Sequence, residues 1–436
     1  MASENLLYMF KKIITGLLLI FCVTISISAQ NISDTTLTTN NNSILDQENV
    51  IPEIIKADSF QVYSFSLQND WLHSINKELS DTTLNVFHYT NPLYKKNNIY
   101  TSLGNTGLAA YNMFFSPNNA IGLDYGIHCF DTYLLNQSSL KFYDTKKPYS
   151  IIYYVMAPDK EQILNFHLNE KVYKSLTLGT DIKIINSVGP YYRQKARDAR
   201  VAFKAHYVSD NKRYKAIAYY AHNKMDWMEN GGIKYDSIFE NNLETDRLVY
   251  PIKLKEANNL IIDTEVFLRH SFELSANKTK ADSISSIKKH PFNLGKIQHE
   301  IKYHRQRLRY TETVDDSTYY QHYYNDFDDR FNTFDSTTFQ TISNVISWKN
   351  SDLYRTKKSL GFDFGLTHKY IKIQEREGNN NLNQIILHAR ISKSIINKFI
   401  IGGEAEYIQG DYNNNDFKLS GVLTNSFGNN DNKRIT

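Results

Sequence analysis

Leu360-Gly361-Phe362-Asp363-Phe364-Gly365-Leu366-Thr367-His368-Lys369-Tyr370 alternates apolar with small or polar side chains, and His368 is the one polar break on the apolar side. Successive residues of an extended strand point to opposite faces, so this stretch has one greasy face and one wet face. A tilted strand that crosses a bilayer needs about 9–11 residues, whereas strands of soluble sheets average about five or six. The stretch is therefore read as a membrane-crossing strand.

The same period recurs outward from it. Val201, Phe203, Ala205 and Tyr207 oppose Ala202, Lys204 and His206. Leu176, Leu178, Ile182 and Ile184 oppose Thr177, Gly179, Asp181 and Lys183. Val266, Leu268, Phe272 and Leu274 oppose Glu265, Arg269, Ser271 and Glu273. Phe399, Ile401, Ala405 and Tyr407 oppose Gly402, Glu404 and Glu406, and Phe417, Leu419, Gly421 and Leu423 oppose Lys418, Ser420, Val422 and Thr424. Weaker members are Ile121–Tyr133, Ile151–Ala157, Ile163–Leu168, Tyr214–His222, Ile297–Tyr310, Phe339–Trp348 and Ile385–Ile391. The spacing predicts about 13 strands. Ser116-Pro117-Asn118-Asn119, Ser209-Asp210-Asn211-Lys212, Gly378-Asn379-Asn380-Asn381 and Asn413-Asn414-Asn415 read as tight turns. Longer connections are expected near 223–262, 276–294 and 315–336. No helix-period segment or 20–50-residue repeat interrupts the series.

A sheet inside hydrocarbon cannot leave its edge N–H and C=O groups unpaired, because each costs several kcal/mol, so it must close. Closure at this strand number leaves a wide, wet interior. The expected fold is an all-β, transmembrane, antiparallel up-and-down β-barrel. Its candidate pore-lining residues are Lys183, Lys204, His206, Arg269, Glu273, Glu300, Lys302, Asp363, Lys369, Arg390, Glu404, Glu406 and Lys418. Tyr207, Tyr214, Tyr303, Tyr310, Tyr370, Tyr407 and Tyr412 sit near strand ends, where aromatic girdles form.

Composition agrees. Tyr (31) and Phe (24) help bring aromatics to 13%, yet the mean hydropathy is −0.49, so apolar residues are dispersed rather than gathered in runs. Net charge is +4, which gives no concentrated basic surface for nucleic acid. Met9-Phe10-Lys11-Lys12, the apolar Ile13–Ile25 and the small residues Ser26-Ile27-Ser28-Ala29 have the three parts of a secretory signal, with cleavage expected near residue 29. The apolar part is too short for a comfortable transmembrane helix, and Phe21 before Cys22 is wrong for a lipoprotein. Cleavage leaves Cys129 alone, unable to form an internal disulfide or a zinc site. The expected organisation is a signal peptide over 1–29, a flexible periplasmic leader over 30–98, polar at its start, and a barrel over 99–436.

Asn91-Pro92-Leu93-Tyr94, the run Ser102-Leu103-Gly104-Asn105-Thr106-Gly107-Leu108-Ala109-Ala110-Tyr111-Asn112, Tyr143-Asp144-Thr145-Lys146-Lys147-Pro148-Tyr149 followed by Lys160-Glu161-Gln162, and Glu229-Asn230-Gly231-Gly232-Ile233 resemble motifs of the putative-porin family of Bacteroidota. The resemblance is strongest from about Asn91 to Ile233. It implies an outer-membrane barrel, porin-like by fold, and says little about substrate. Members of that family usually continue further and end in a membrane strand with a terminal aromatic. This chain stops at Asn432-Lys433-Arg434-Ile435-Thr436, so its barrel is expected to be incomplete at the C-terminus.

No phosphate loop, paired-Cys motif, His-Glu-x-x-His helix or Gly-x-Ser-x-Gly elbow occurs, so no enzyme and no cofactor is expected. His206, His270, His304, His368 and His388 are read as lumen or interface residues. Asp315 to Asp329, with Tyr319, Tyr320, Tyr323 and Tyr324, could hold calcium or a sugar, or be a plain solvated loop. Gly231-Gly232 could form a constriction, or a turn. The leading expectation is passive diffusion of small hydrophilic solutes through a barrel in the lipid bilayer, placed there by the outer-membrane assembly machinery. The alternative is a non-conducting barrel serving adhesion, secretion or scaffolding. An energised transporter would need an N-terminal plug, for which about 70 residues look too few. A soluble sugar-binding sandwich fits the alternation alone.

Overall fold

In the computed structural model the alternating stretches become one antiparallel sheet. Six short strands precede it: β1 (Tyr63–Ser66), β2 (Glu78–Leu79), β3 (Tyr94–Lys95), β4 (Asn98–Ser102), β5 (Ala110–Asn112) and β6 (Lys141–Asp144). The sheet itself comprises β7 (Tyr149–Ala157), β8 (Glu161–Tyr173), β9 (Leu176–Ser187), β10 (Ala196–Val208), β11 (Tyr214–Met228), β12 (Asn258–Glu273), β13 (Lys296–Glu312), β14 (Thr333–Lys349), β15 (Leu360–Glu375), β16 (Gly378–Ile396), β17 (Phe399–Gly410) and β18 (Phe417–Ser426). The two-residue β19 (Arg434–Ile435) pairs the end of β18. Within this sheet each strand from β7 to β19 pairs with its neighbours in sequence, and the sheet is not closed among the described residues, while β2-β1-β6 and β3-β4-β5 form two small sheets of their own. The structure describes residues 62–67, 78–79, 91–95, 98–102, 104–115, 121–158, 160–274, 294–314, 317–320, 333–350, 360–396, 399–426 and 434–435. The expected signal segment, much of the expected leader and the Ser116–Asn119 turn lie outside these residues.

Register shows what the alternation achieves. Tyr214, Phe272, Ile297, Trp348, Phe364, Ala389, Ala405 and Leu419 stand opposite one another in turn across β11 to β18. One residue along each strand, Glu273, Lys296, Lys349, Asp363, Arg390, Glu404 and Ser420 do the same across β12 to β18. Opposed residues share a face, and a shift of one residue changes face. One row is wholly apolar and the other wholly polar. The apolar face is bare: Leu387, Ile346 and Leu419 are 49%, 56% and 73% exposed. Exposed apolar surface of this extent needs a non-aqueous partner. Leu387→Arg, in the middle of this face, should destabilise the bilayer-embedded protein by about 2–4 kcal/mol. Thr367→Arg, on the polar face, should cost much less. Urea unfolding in lipid vesicles, read by Trp fluorescence, compares the two.

The strands are longer than 9–11 residues, reaching 17 in β13 and β14 and 19 in β16, so they run past any bilayer core. Twelve of the expected strands are present as β7 to β18. The expected strand at Ile121–Tyr133 is absent. Gly122 and Gly126 sit at φ 98° and 72°, values that turn the chain out of an extended path, and residues 129–133 form tight turns. The sheet therefore starts at Tyr149, fifty residues after the expected boundary at 99. The hairpin after β15 turns at Arg376-Glu377, and Gly378 to Asn381 already belong to β16. Long connections occur at both ends of the sheet: 229–257 and 313–332 at one, 274–295 at the other.

The described residues among 62–67 and 91–145 pack onto the polar face. Leu93, Ala110, Phe130, Tyr133 and Leu134 form a core with Ile163, Ile185, Ala196, Met225, Trp227 and Ile261 of β8 to β12. Phe65, Leu67, Leu135, Leu140 and Phe142 form a second with Ala202, Ile217, Tyr219, Ala221 and Phe267. Phe65, Leu67 and Leu93, from the expected leader, and residues from 110 to 142, from the expected barrel, cover the apolar positions of the sheet there. We call this covered side the inner face and the described residues between 62 and 145 the inner segment.

Candidate pore-lining face

All thirteen expected lining residues fall on the inner face by register. Lys183 stands opposite Arg200, Lys204 opposite Gly179 and His206 opposite Thr177. Arg269 faces Glu300, and Lys302 faces Phe267. Lys369 faces Ser343, and Glu406 faces Lys418. The structure separates those on β9 to β12 from those on β15 to β18, with Glu300 and Lys302 on β13 between them.

On β8 to β12 the inner segment seals the face. The Lys204 ammonium lies 2.7 Å from Asp181 and donates to the Lys141 carbonyl of β6 at 2.7 Å, while His167 binds Asp181 at 2.8 Å. The Phe142 and Tyr143 rings lie 6.0 and 5.4 Å from that ammonium. Both charged side chains are almost fully buried, at 2% and 3% exposure. Further along, Asn223 accepts from the Leu135 N–H at 2.8 Å, donates to the Leu135 carbonyl at 3.1 Å and donates to Asp263 at 3.0 Å. Glu265 accepts from the Gln137 N–H at 3.1 Å and from the Tyr219 hydroxyl. Arg200 donates to the Tyr133 carbonyl. Strand side chains thus satisfy backbone groups of residues 133–137, a turn and irregular stretch between β5 and β6 that belongs to no ladder. Gly107 comes so close to the sheet that a Cβ there would meet Ala196 at 3.2 Å, and its φ of 95° also excludes ordinary side chains. Burial pushes the Tyr133 phenol up to about 12, so it stays neutral where it accepts the Gly107 N–H at 3.3 Å.

On β14 to β18 the inner face is a network of charges. Arg390 donates to Glu404 at 2.7 Å and to Glu406 at 3.1 Å, and lies 3.6 Å from Asp363. Lys418 sits 3.7 and 3.4 Å from the same two glutamates. Asp363 also meets His388 at 3.4 Å and Lys349 at 3.9 Å. The inner segment reaches this half at residues 121–126, where Tyr125 stacks on Phe339 at 4.2 Å and its hydroxyl pairs with Thr341 at 2.6 Å.

The histidines divide by face. His206 packs edge-on to Phe65 at 5.2 Å, and His304 binds Asp263 at 2.6 Å, both on the inner face. His270 lies on the outward face, 3.0 Å from His299, as does His368. Tyr310, expected in a girdle, is on the inner face and hydrogen-bonded to Tyr320. Of the Asp/Tyr-rich loop only residues 317–320 are described beyond Val314, and Tyr320 is buried with Leu254 and Ala257. Gly231-Gly232 belong to a hairpin held by Leu254 N–H to the Asn230 carbonyl at 2.9 Å and Lys253 N–H to the Gly232 carbonyl at 3.0 Å. Both glycines have positive φ, 64° and 91°, the backbone that the turn reading asked for. Among the described residues no cluster of three or more His, Cys, Asp or Glu could hold a metal. The residues that sequence reasoning left out of the site are Asp181, Asn223, Asp263 and Glu265. Asn and Asp are depleted in strands, and their presence in mid-strand was the available signal.

A family model described as "Putative porin" matches residues 69–436. No curated protein matches. Among solved structures, a mutant of the ferric enterobactin receptor of Pseudomonas aeruginosa is similar at TM-score 0.44 and 8% identity, covering 67% of this chain and 44% of that one. The ferric-catecholate import receptor Fiu of E. coli K12 gives 0.40 and 9%, covering 67% and 54%. The siderophore receptor PirA of Acinetobacter baumannii gives 0.42 and 6%, covering 65% and 42%. The chain spans about half the length of these receptors.

Proposed function

The chain belongs to the family described as Putative porin, and from that premise we propose that it resides in the outer membrane and passes small hydrophilic solutes by passive diffusion. The observation that carries this reading is the pair of adjacent rows across β12 to β18, one wholly apolar and one wholly polar. An apolar row suits lipid and a charged row suits water. Nine of the thirteen expected lining residues then fall into two roles. Lys204 and Arg269 are buried and hold structure. Lys302, Lys369, Asp363, Arg390, Glu404, Glu406 and Lys418 border the path left for solute. Selectivity there comes from size and from the field of the lining charges, with no turnover.

Planar-bilayer recording tests the reading: discrete conductance steps are expected, and persistent silence from correctly inserted protein contradicts passive diffusion. The glutamates give a finer check. Glu404→Gln with Glu406→Gln removes two negative charges from beside Arg390 and Lys418. The reversal potential in a salt gradient should move toward anion preference, with a permeability ratio changed about threefold.

A second reading is favoured by one observation. The inner segment seals β8 to β12 through two apolar cores, and a more fully closed barrel acting through its loops would also carry such a segment. Silence of the full chain that gives way to conductance once the inner segment is removed would favour it.

A further inference from the structure

Charge also occurs on the outward face, where it has no place in a pore. The odd residues of β13 share a face with Ile297 and Ile301, and that face continues through Tyr303 to Arg305, Arg307 and Arg309. These arginines recur about every 7 Å along the strand. Register extends the group sideways: Arg307 stands opposite Ile262, which stands opposite Lys224. At about 4.8 Å per strand, Lys224 lies about 10 Å from Arg307. Leu260, opposite Arg309, faces Asp226, the carboxylate within the patch, and Asp226 stands opposite Arg197. The patch is therefore strongly cationic. Lys224 and Arg305 are exposed, and none of Lys224, Arg305, Arg307 and Arg309 has a side-chain hydrogen bond or ion pair among the described residues.

The patch begins where the apolar belt stops. Tyr303 stands in register between Val266 and Ile342, and Arg305 follows two residues later on the same face. At the opposite ends of these strands the outward face finishes in Tyr207, Tyr214, Phe272, Ile297 and Trp348. One rim of the belt is thus aromatic and the other cationic. A cation on the outward side of a barrel cannot reach the lumen. It can satisfy its donors only in the headgroup layer, toward which long side chains snorkel. Arginine suits phosphate there, because its planar fork donates two bonds to a tetrahedral oxyanion.

We propose that Lys224, Arg305, Arg307 and Arg309 form a docking surface for the phosphate of an anionic membrane-lipid headgroup, with Ile262 and Leu260 meeting the start of its acyl chains. The inference rests on the reading of the outward face as lipid-facing. Contiguity with the apolar belt selects a membrane lipid over free phosphate.

The test uses the full chain in dodecyl maltoside micelles doped with phosphatidylglycerol or, at equal mole fraction, zwitterionic phosphatidylcholine. Thermal midpoints are read from heat-modifiable gel mobility. Phosphatidylglycerol should raise the midpoint by several degrees and phosphatidylcholine should not, because a ligand that binds the folded state stabilises it. Arg305→Gln/Arg307→Gln/Arg309→Gln should keep heat-modifiable mobility and bind phosphatidylglycerol about tenfold more weakly, from loss of charge-assisted bonds. Lys224→Gln should show a smaller loss and serves if the triple variant does not fold. Inorganic phosphate should leave the midpoint unchanged. Equal shifts from the two lipids, equal shifts in wild type and variants, or a matching shift from inorganic phosphate would overturn the proposal. Protein that stays soluble without detergent would instead sink the membrane reading beneath it.

Discussion

Removal of residues 60–145 should raise single-channel conductance by about fivefold or more, since conductance follows the water-filled cross-section of the lumen. The expectation follows from what those residues occupy. Residues 93–142 place Leu93, Phe130, Leu134, Leu135, Leu140 and Phe142 on the inner face of β8 to β12. Without them, Ile163, Ile185, Met225, Ile261 and Phe267 would face water. That exposure costs stability, so the deletion needs a gentler companion. Asn223→Leu with Glu265→Leu removes the acceptors of the Leu135 and Gln137 N–H groups. Leaving buried backbone donors unpaired costs about 1–3 kcal/mol each, which should loosen the segment and produce long-lived openings above the wild-type level. Planar-bilayer recording of all three proteins decides: identical conductance in each would mean that the segment does not restrict the path.

The second large effect concerns the sealed ion pair. Asp181→Ala should destabilise the protein by about 3–5 kcal/mol, because it strands a buried ammonium. With Asp181 gone, Lys204 keeps only the Lys141 carbonyl among the hydrogen-bond acceptors described for it. Lys204→Met should be comparably damaging, since it leaves the Asp181 carboxylate with His167 and no ammonium. Asp181→Leu combined with Lys204→Met should recover most of the loss, because a buried pair is costly to break and cheap to replace with apolar groups of similar size. Urea midpoints in detergent micelles measure all three. A double variant as weak as the single ones would show that the pair is needed for more than charge compensation.

The fold was legible where one face meets lipid. Leu360–Tyr370, Val201–Tyr207 and Phe417–Leu423 alternate because one side must be greasy and the other wet, and twelve strands follow from that period. The inner segment was harder to see. Ile121–Tyr133 alternates well enough to imitate a strand, yet Gly122 and Gly126 turn it, and its apolar residues serve a small core. The clue lay in residues on the wrong side. Phe267 sits between Val266 and Leu268 and points with Glu265 and Arg269 to the inner face, where it is 2% exposed. Ile185, Ile217, Tyr219 and Met225 break the polar-inside rule in the same way. Such residues gather on β8 to β12, where the segment lies. A wet lumen does not need them, so they signal a covering element that alternation alone hides.

The thirteen candidate lining residues were legible as a face but not as a site. Alternation gives the side of the sheet and not what lies against that side. It could not separate Lys204, closed in beside Phe142 and Tyr143, from Lys418 in the open network of β16 to β18. The outward arginines of β13 escaped for a related reason. A period-two pattern lets polar residues take either face near a strand end, and only register shows that Arg305, Arg307 and Arg309 continue the row of Ile297 and Ile301.

A cysteine scan from Leu360 to Tyr370, in a Cys129→Ser background, with each position spin-labelled in protein inserted into lipid vesicles, tests the account at its root. Collision with oxygen, which concentrates in hydrocarbon, should peak at 362, 364, 366 and 368, and collision with a water-soluble nickel chelate should peak at 363, 365, 367 and 369. Equal access of the chelate to both sets, or loss of the two-residue period, would contradict it.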